Sequence, residues 1–168
     1  MNNTKKLVLL ALFVAQAMVL SIVESWIPVP VGIPGVKLGL ANIISMVVIV
    51  FFGFREAMAV VVIRTVLMSM YAGGPIILLF SATGGILSAI VMAILYSRMR
   101  KIFSIVGISV AGSITHNMGQ LLMASLVMKE LSVLFYLPIL MISGIIMGCF
   151  VGLCSNFLIK ALKKTNIF

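Results

Sequence analysis

Arg64 is the residue whose position most demands a chemical reason. It stands eight residues from each end of the apolar run 56–72, so a helix there places its guanidinium ~12 Å from either end. In a bilayer such a charge costs ~2.5–3.5 kcal/mol even on the milder scales, and charges inside membrane helices are functional suspects by default. One use is recognition of an anionic or carbonyl-rich ligand. The other is structural: an arginine held by backbone carbonyls, by an acid such as Glu24 or Glu56, or reaching an interface along its own stem.

A second group of polar residues interrupts the apolar run 103–127. Thr115, His116, Asn117 and Gln120 lie there; His116 and Gln120, four apart, share a helical face, and Asn117 and Gln120 are three apart. Together they can border one cavity, and with Arg64 they compose a candidate substrate-binding site. Each taken singly also suits an interhelical hydrogen bond, worth under ~1 kcal/mol in a membrane bundle. The stretch Gly35-Val36-Lys37-Leu38-Gly39-Leu40-Ala41-Asn42 adds Lys37 and Asn42. Lys37 either anchors at the membrane interface or meets an anion, and Asn42, about one turn deeper, can face a ligand arriving from outside.

What is missing narrows the chemistry. The chain has no aspartate, three glutamates (Glu24, Glu56, Glu130) and a single histidine. An aspartate-rich magnesium–diphosphate site is therefore excluded, and no phosphate-binding Walker loop occurs, so the chain cannot by itself couple transport to ATP. Cys149 and Cys154 lie five apart on one apolar run, which on a helix separates them by ~7.5 Å of rise and ~140° of rotation. They cannot pair with each other, and without clustered histidines or acids they make a poor metal site. No catalytic residue, cofactor or metal is expected, and the cysteines read as packing residues.

The elements that must carry these residues are membrane helices. Of 168 residues 63% are hydrophobic and 9% charged, with a mean hydropathy of +1.33, whereas soluble domains are nearer a quarter charged. Spans of ~20 apolar residues leave room for five to seven helices and no separate soluble domain. Hydropathy and turn residues divide the chain into helices at about 7–23, 38–52, 56–72, 76–96, 103–127 and 138–162, one integral membrane domain of all-α class. The stretch 25–35 between the first two holds three of the five prolines and reads as a stiff apolar loop. Pro138 marks the start of the sixth span, because a first-turn proline forfeits no needed hydrogen bond.

The net charge of +9 is distributed as topology signal rather than as a nucleic-acid surface. With six spans and an inside amino terminus, nine basic residues (Lys5, Lys6, Arg55, Arg98, Arg100, Lys101, Lys160, Lys163, Lys164) fall inside and only Lys37 and Lys129 outside. Both termini are then cytoplasmic, in a multi-pass protein of the cell membrane. The first span, followed by Glu24-Ser25-Trp26 with no small-residue cleavage pattern, is expected to be retained. Small residues four apart, Ala11 and Ala15 on the first helix and Gly144, Gly148 and Gly152 on the sixth, permit close helix packing. The glycines suit internal packing; the alanines suit that or a docking face for a partner.

The run Pro-Gly-Val-Lys-Leu-Gly-Leu-Ala-Asn at 34–42, in a basic six-span chain of this size, resembles the family called heptaprenyl diphosphate synthase component I or Gx transporter. The resemblance extends over nearly the whole chain. That family is similar in turn to the substrate-binding S components of energy-coupling factor (ECF) transporters. Such a resemblance implies a six-helix bundle that takes a small vitamin-like or precursor molecule from the outer side, beneath a loop matching Ser25 to Lys37. It also implies docking, through Ala11 and Ala15, on a transmembrane coupling subunit driven by two ATPases. The synthase name implies instead a noncatalytic membrane partner in isoprenoid, quinone or membrane redox work, since no aspartate is present to supply a prenyl-transfer site.

Overall fold

A computed structural model describes residues 2–26, 39–72 and 74–165, all of whose regular structure is helical. Six α-helices form: α1 (Asn3–Ser25), α2 (Asn42–Phe51), α3 (Phe54–Ala72), α4 (Pro75–Met99), α5 (Ile105–Met128) and α6 (Leu137–Lys164). Local chemistry sets their ends. Gly53, at φ +97°, makes the sharp reversal between α2 and α3. Pro75 sits in the first turn of α4 and Pro138 in that of α6, where the missing N–H is harmless. The Ser104 side chain accepts from Gly107 N at 3.2 Å and caps α5. Lys129, at φ 54°, ends α5 and leads to a 3₁₀ turn at Leu131–Tyr136.

Four of the helices, α1, α3, α4 and α6, run longer than hydropathy alone suggests, because helical backbone continues into the polar flanks. α5 begins at Ile105, two residues later than expected, behind its Ser104 cap, and α2 is shorter than expected. Its ten residues rise only ~15 Å, half of a ~30 Å hydrocarbon core. It is nonetheless the centre of the bundle: Asn42 to Ile49 are all buried, and α2 packs against each of the other five helices. Those five form an arc in the order α1, α3, α4, α5, α6 around it. The arc is open between α1 and α6, where no Cα of one comes within 8 Å of the other.

Three segments, α1, α4 and the run Leu131–Lys164, are long and apolar enough to cross a membrane. Large apolar side chains also cover much of the outside, among them Leu7, Leu126, Phe135 and Phe157. In water such a surface would be an aggregation liability; in lipid it is the solvent-facing side. The chain is therefore a membrane protein on length and composition.

Two apolar clusters divide the interior. The larger joins Phe13 and Ala17 of α1 to Val47, Val60, Met92, Ile108 and Ile159 of the other helices. The smaller, at the opposite end, joins Phe80, Leu121, Ala124 and Leu140 to Val133 of the 3₁₀ turn. At the end nearer the larger cluster, Lys6 of α1 pairs with Glu56 of α3 at 2.5 Å.

Candidate functional site

A small polar cavity lies in the half of the bundle away from the Lys6–Glu56 pair, and four helices supply its walls. Among the described residues it is lined by Ser21 and Glu24 of α1, by Gly39 just before α2, by Arg64, Thr65 and Met68 of α3, by Ser81 of α4 and by His116 of α5. The inward face of α1 runs Phe13, Ala17, Ser21, Glu24, the three-to-four spacing of one helical stripe. Glu24, near the carboxyl end of its helix, is thereby drawn inside and is 3% exposed. On α4 the facing positions are small, and the reason is steric. A Cβ at Gly85 would stand 3.1 Å from Arg64 Nη2, and one at Gly84 would stand 2.8 Å from the His116 carbonyl oxygen.

Arg64 is 4% exposed. Its Nη1 donates to Ser21 Oγ at 3.4 Å, while Nε and Nη2 have no hydrogen-bond partner among the described residues. The Ser81 hydroxyl, which faces the same cavity, has none there either. Buried donors left open in this way cost ~1–3 kcal/mol each, and more when charged, so each calls for a partner such as a water, an ion or a ligand group. The Glu24 carboxylate, in the same cavity, supplies the opposite charge. Its Oε1 also accepts from Gly39 N, which ties the end of α1 to the chain just before α2.

His116 and Gln120 come together, their Nε2 atoms 3.1 Å apart. With the amide nitrogen donating, the imidazole accepts at Nε2 and carries its proton on Nδ1. Asn42 is completely buried, and its amide nitrogen lies 2.9 Å from where a Gly39 Cβ would be. His116 Cδ2 lies 3.4 Å from that same point, so Asn42, Gly39 and His116 meet. Asn117 turns the other way: its Nδ2 donates to Leu140 O of α6 at 2.8 Å, and it does not line the cavity. Lys37 falls outside the described residues. Glu24, Ser21 and Ser81 were not among the expected site residues. The signal for them was a serine or acid in register with buried small residues on one helical stripe.

The heptaprenyl diphosphate synthase component I family matches residues 13–158. The chain belongs to that family. The match takes in every described residue that lines the cavity. No curated protein and no solved structure matches the chain. In this component I protein no group of three or more His, Cys, Asp or Glu side chains gathers as a metal site among the described residues. Cys149 is exposed and Cys154 partly buried, both as free thiols, so Cys149 faces outward rather than into the packing.

The component I cavity measures about 10 Å³, the room of roughly one water molecule. One wall of this small pocket is Gly39, whose φ is +91°. Gly39→Ala is expected to lower stability by about 1–3 kcal/mol through the strained dihedral, with the new methyl also pressing on Asn42. A thermal melt in detergent reads this directly, and an unchanged melting temperature would mean that the backbone there relaxes freely.

Proposed function

We propose that the chain is the substrate-binding S component of an ECF-type transporter, which takes a small vitamin-like or precursor molecule from outside. A coupling subunit and two ATPases energise it. In this reading it is a single domain of six spans in the cell membrane, with both termini cytoplasmic, and it does no catalysis of its own. The observation that carries it is Arg64: a buried guanidinium with two open donors beside a small cavity. An enclosed, low-dielectric donor pair of this kind binds a planar carbonyl or carboxylate strongly. Glu24 in the same cavity favours a ligand that carries a donor as well as an acceptor, over a simple anion.

Within this function each residue has a task. Arg64 engages the acceptor group, His116 with Gln120 behind it presents a polar edge, and Asn42 backs the Gly39 wall from behind. Asn117 stays in the proposed set by holding α5 to α6 behind that edge. Lys37, two residues before Gly39, joins the set on sequence alone. A vitamin-sized molecule needs a pocket of ~300–1,000 Å³, so loading requires the Glu24–Gly39 contact to part and the wall to withdraw.

The docking face is consistent with the same function. Ala11 and Ala15 are both exposed, and Ala15 lines an apolar groove of about 510 Å³ whose other walls are Ile43 and Ile44 of α2 and Leu158 of α6. This is the gap in the helix arc, and a partner helix would complete the ring. The test is Ala11→Phe/Ala15→Phe, purified from the host membrane. The expected result is loss of the coupling subunit and ATPases, by tenfold or more, with the bound small molecule retained; full retention of the partners in the variant would contradict docking here.

The family's description supports a second reading, in which the chain is a noncatalytic membrane component beside another synthase component in isoprenoid or quinone synthesis or a membrane redox system. Copurification separates the two. A coupling subunit with ATPases supports transport, and a soluble prenyl synthase supports the second.

A further inference from the structure

A larger groove lies at the other end of the bundle, unconnected with the polar cavity. Its volume is about 670 Å³, and its walls are Ile49, Gly53 and Phe54 at the α2–α3 turn and Ile94, Tyr96 and Arg98 on α4. Apart from Arg98 and Ser97 the lining is apolar. A second pocket of about 590 Å³ shares Tyr96, Ser97 and Arg98 and adds Arg100 and Lys101. The apolar groove thus leads into three cations spaced within four residues. Arg100 is held in place over the Tyr96 ring, 5.0 Å from its centroid.

Among the described residues no carboxylate neutralises those cations. The sequence has only three acids. Glu56 is taken by Lys6, Glu24 is buried with Gly39, and Glu130 accepts from Ser132. Among the described residues no carboxylate comes within ion-pair distance of Arg98, Arg100 or Lys101. On the membrane side the groove is bordered by Ile94, half exposed on the outer face of α4. Its apolar length is therefore continuous with the lipid-facing surface, and its cations stand where α4 ends at Met99.

We propose that this groove binds an anionic membrane phospholipid, with one acyl chain along Ile49, Phe54 and Ile94 and the phosphate among Arg98, Arg100 and Lys101. Basic pockets at the ends of membrane helices select anionic headgroups by this charge complementarity. The apolar wall supplies the chain site that a bare basic patch lacks. Binding of this lipid is independent of what the polar cavity holds.

The experiment is native mass spectrometry of the intact protein in neutral detergent, titrated separately with dioleoylphosphatidylglycerol and dioleoylphosphatidylcholine. Phosphatidylglycerol is expected to bind roughly tenfold more tightly, given about a fivefold gain per basic residue and partial screening. The variant Arg98→Gln/Arg100→Gln/Lys101→Gln should bring the two lipids to parity. The variant Lys160→Gln/Lys163→Gln/Lys164→Gln, which removes the same charge from α6, should keep the preference. Equal binding of both lipids by the unaltered protein would overturn the proposal. Equal loss in the two variants would do the same, by reducing the effect to net charge. So would saturable binding of a soluble short-chain prenyl diphosphate with no phosphatidylglycerol preference, which would assign the groove to a different amphiphile.

Discussion

Replacing Arg64 by methionine is expected to abolish ligand retention and to unsettle the fold at once. The guanidinium is the charged donor of the cavity, and losing hydrogen bonds to a charged group costs up to ~3 kcal/mol, on the order of 100-fold in affinity. The same change removes the positive charge from the cavity that Glu24 also lines and takes the donor from Ser21, which is expected to lower stability by about 1–3 kcal/mol. The two effects can be separated. The double variant Arg64→Met/Glu24→Gln removes both charges and keeps similar volumes, so it should recover most of the thermal stability while still failing to hold the small molecule. If the double variant were stable and retained its ligand, Arg64 would be a structural arginine and the site would lie elsewhere.

The second large effect belongs to the α5–α6 seam. A Cβ at Gly148 would stand 2.5 Å from Val110 Cα, and one at Gly152 would stand 2.6 Å from Val106 Cα. In both cases the obstacle is backbone, which cannot rotate aside as a side chain can. Gly148→Ala and Gly152→Ala should each lower stability by about 1–3 kcal/mol, the range for overpacked cores. Combined, they approach a large share of the ~5–15 kcal/mol that holds a typical domain together. Thermal melts of the single and double variants in one detergent would check this. At Gly144 the nearest atom to a new Cβ is Asn117 Nδ2, a side-chain atom at 3.0 Å, so Gly144→Ala should be milder. A series in which all three glycines behave alike would count against a backbone seam.

The six helices were legible because each is a long apolar run ended by glycine, proline or a basic cluster, and those signals are local. Pro138 marked the start of α6 for the same reason. The central burial of α2, and its start at Asn42 rather than near 38, were not legible. A helix buried on every side reads in sequence like one that faces lipid, since both are apolar all round. Arg64 and His116 stood out by polarity alone, and they do line one cavity. Asn117 had the same polarity and spacing but faces α6, because a helical wheel fixes which residues share a face, not which neighbour that face meets. Glu24 stood in the sequence as one acid that could hold Arg64, but its position near a helix end, where an acid is ordinarily solvated, concealed that it lines the cavity. Only the register of Phe13, Ala17 and Ser21 with it indicated burial. Gly39 carried its meaning in a backbone angle, and no residue pattern states that angle.

The most direct test is native mass spectrometry of the protein purified gently from its own host membrane, unaltered and as Arg64→Met/Glu24→Gln. The unaltered protein is predicted to carry a small molecule of defined mass, together with a coupling subunit and ATPases, and the double variant is predicted to be empty. An unaltered protein that is itself empty and copurifies with a soluble prenyl synthase would contradict the transport function and establish the chain as an auxiliary synthase component.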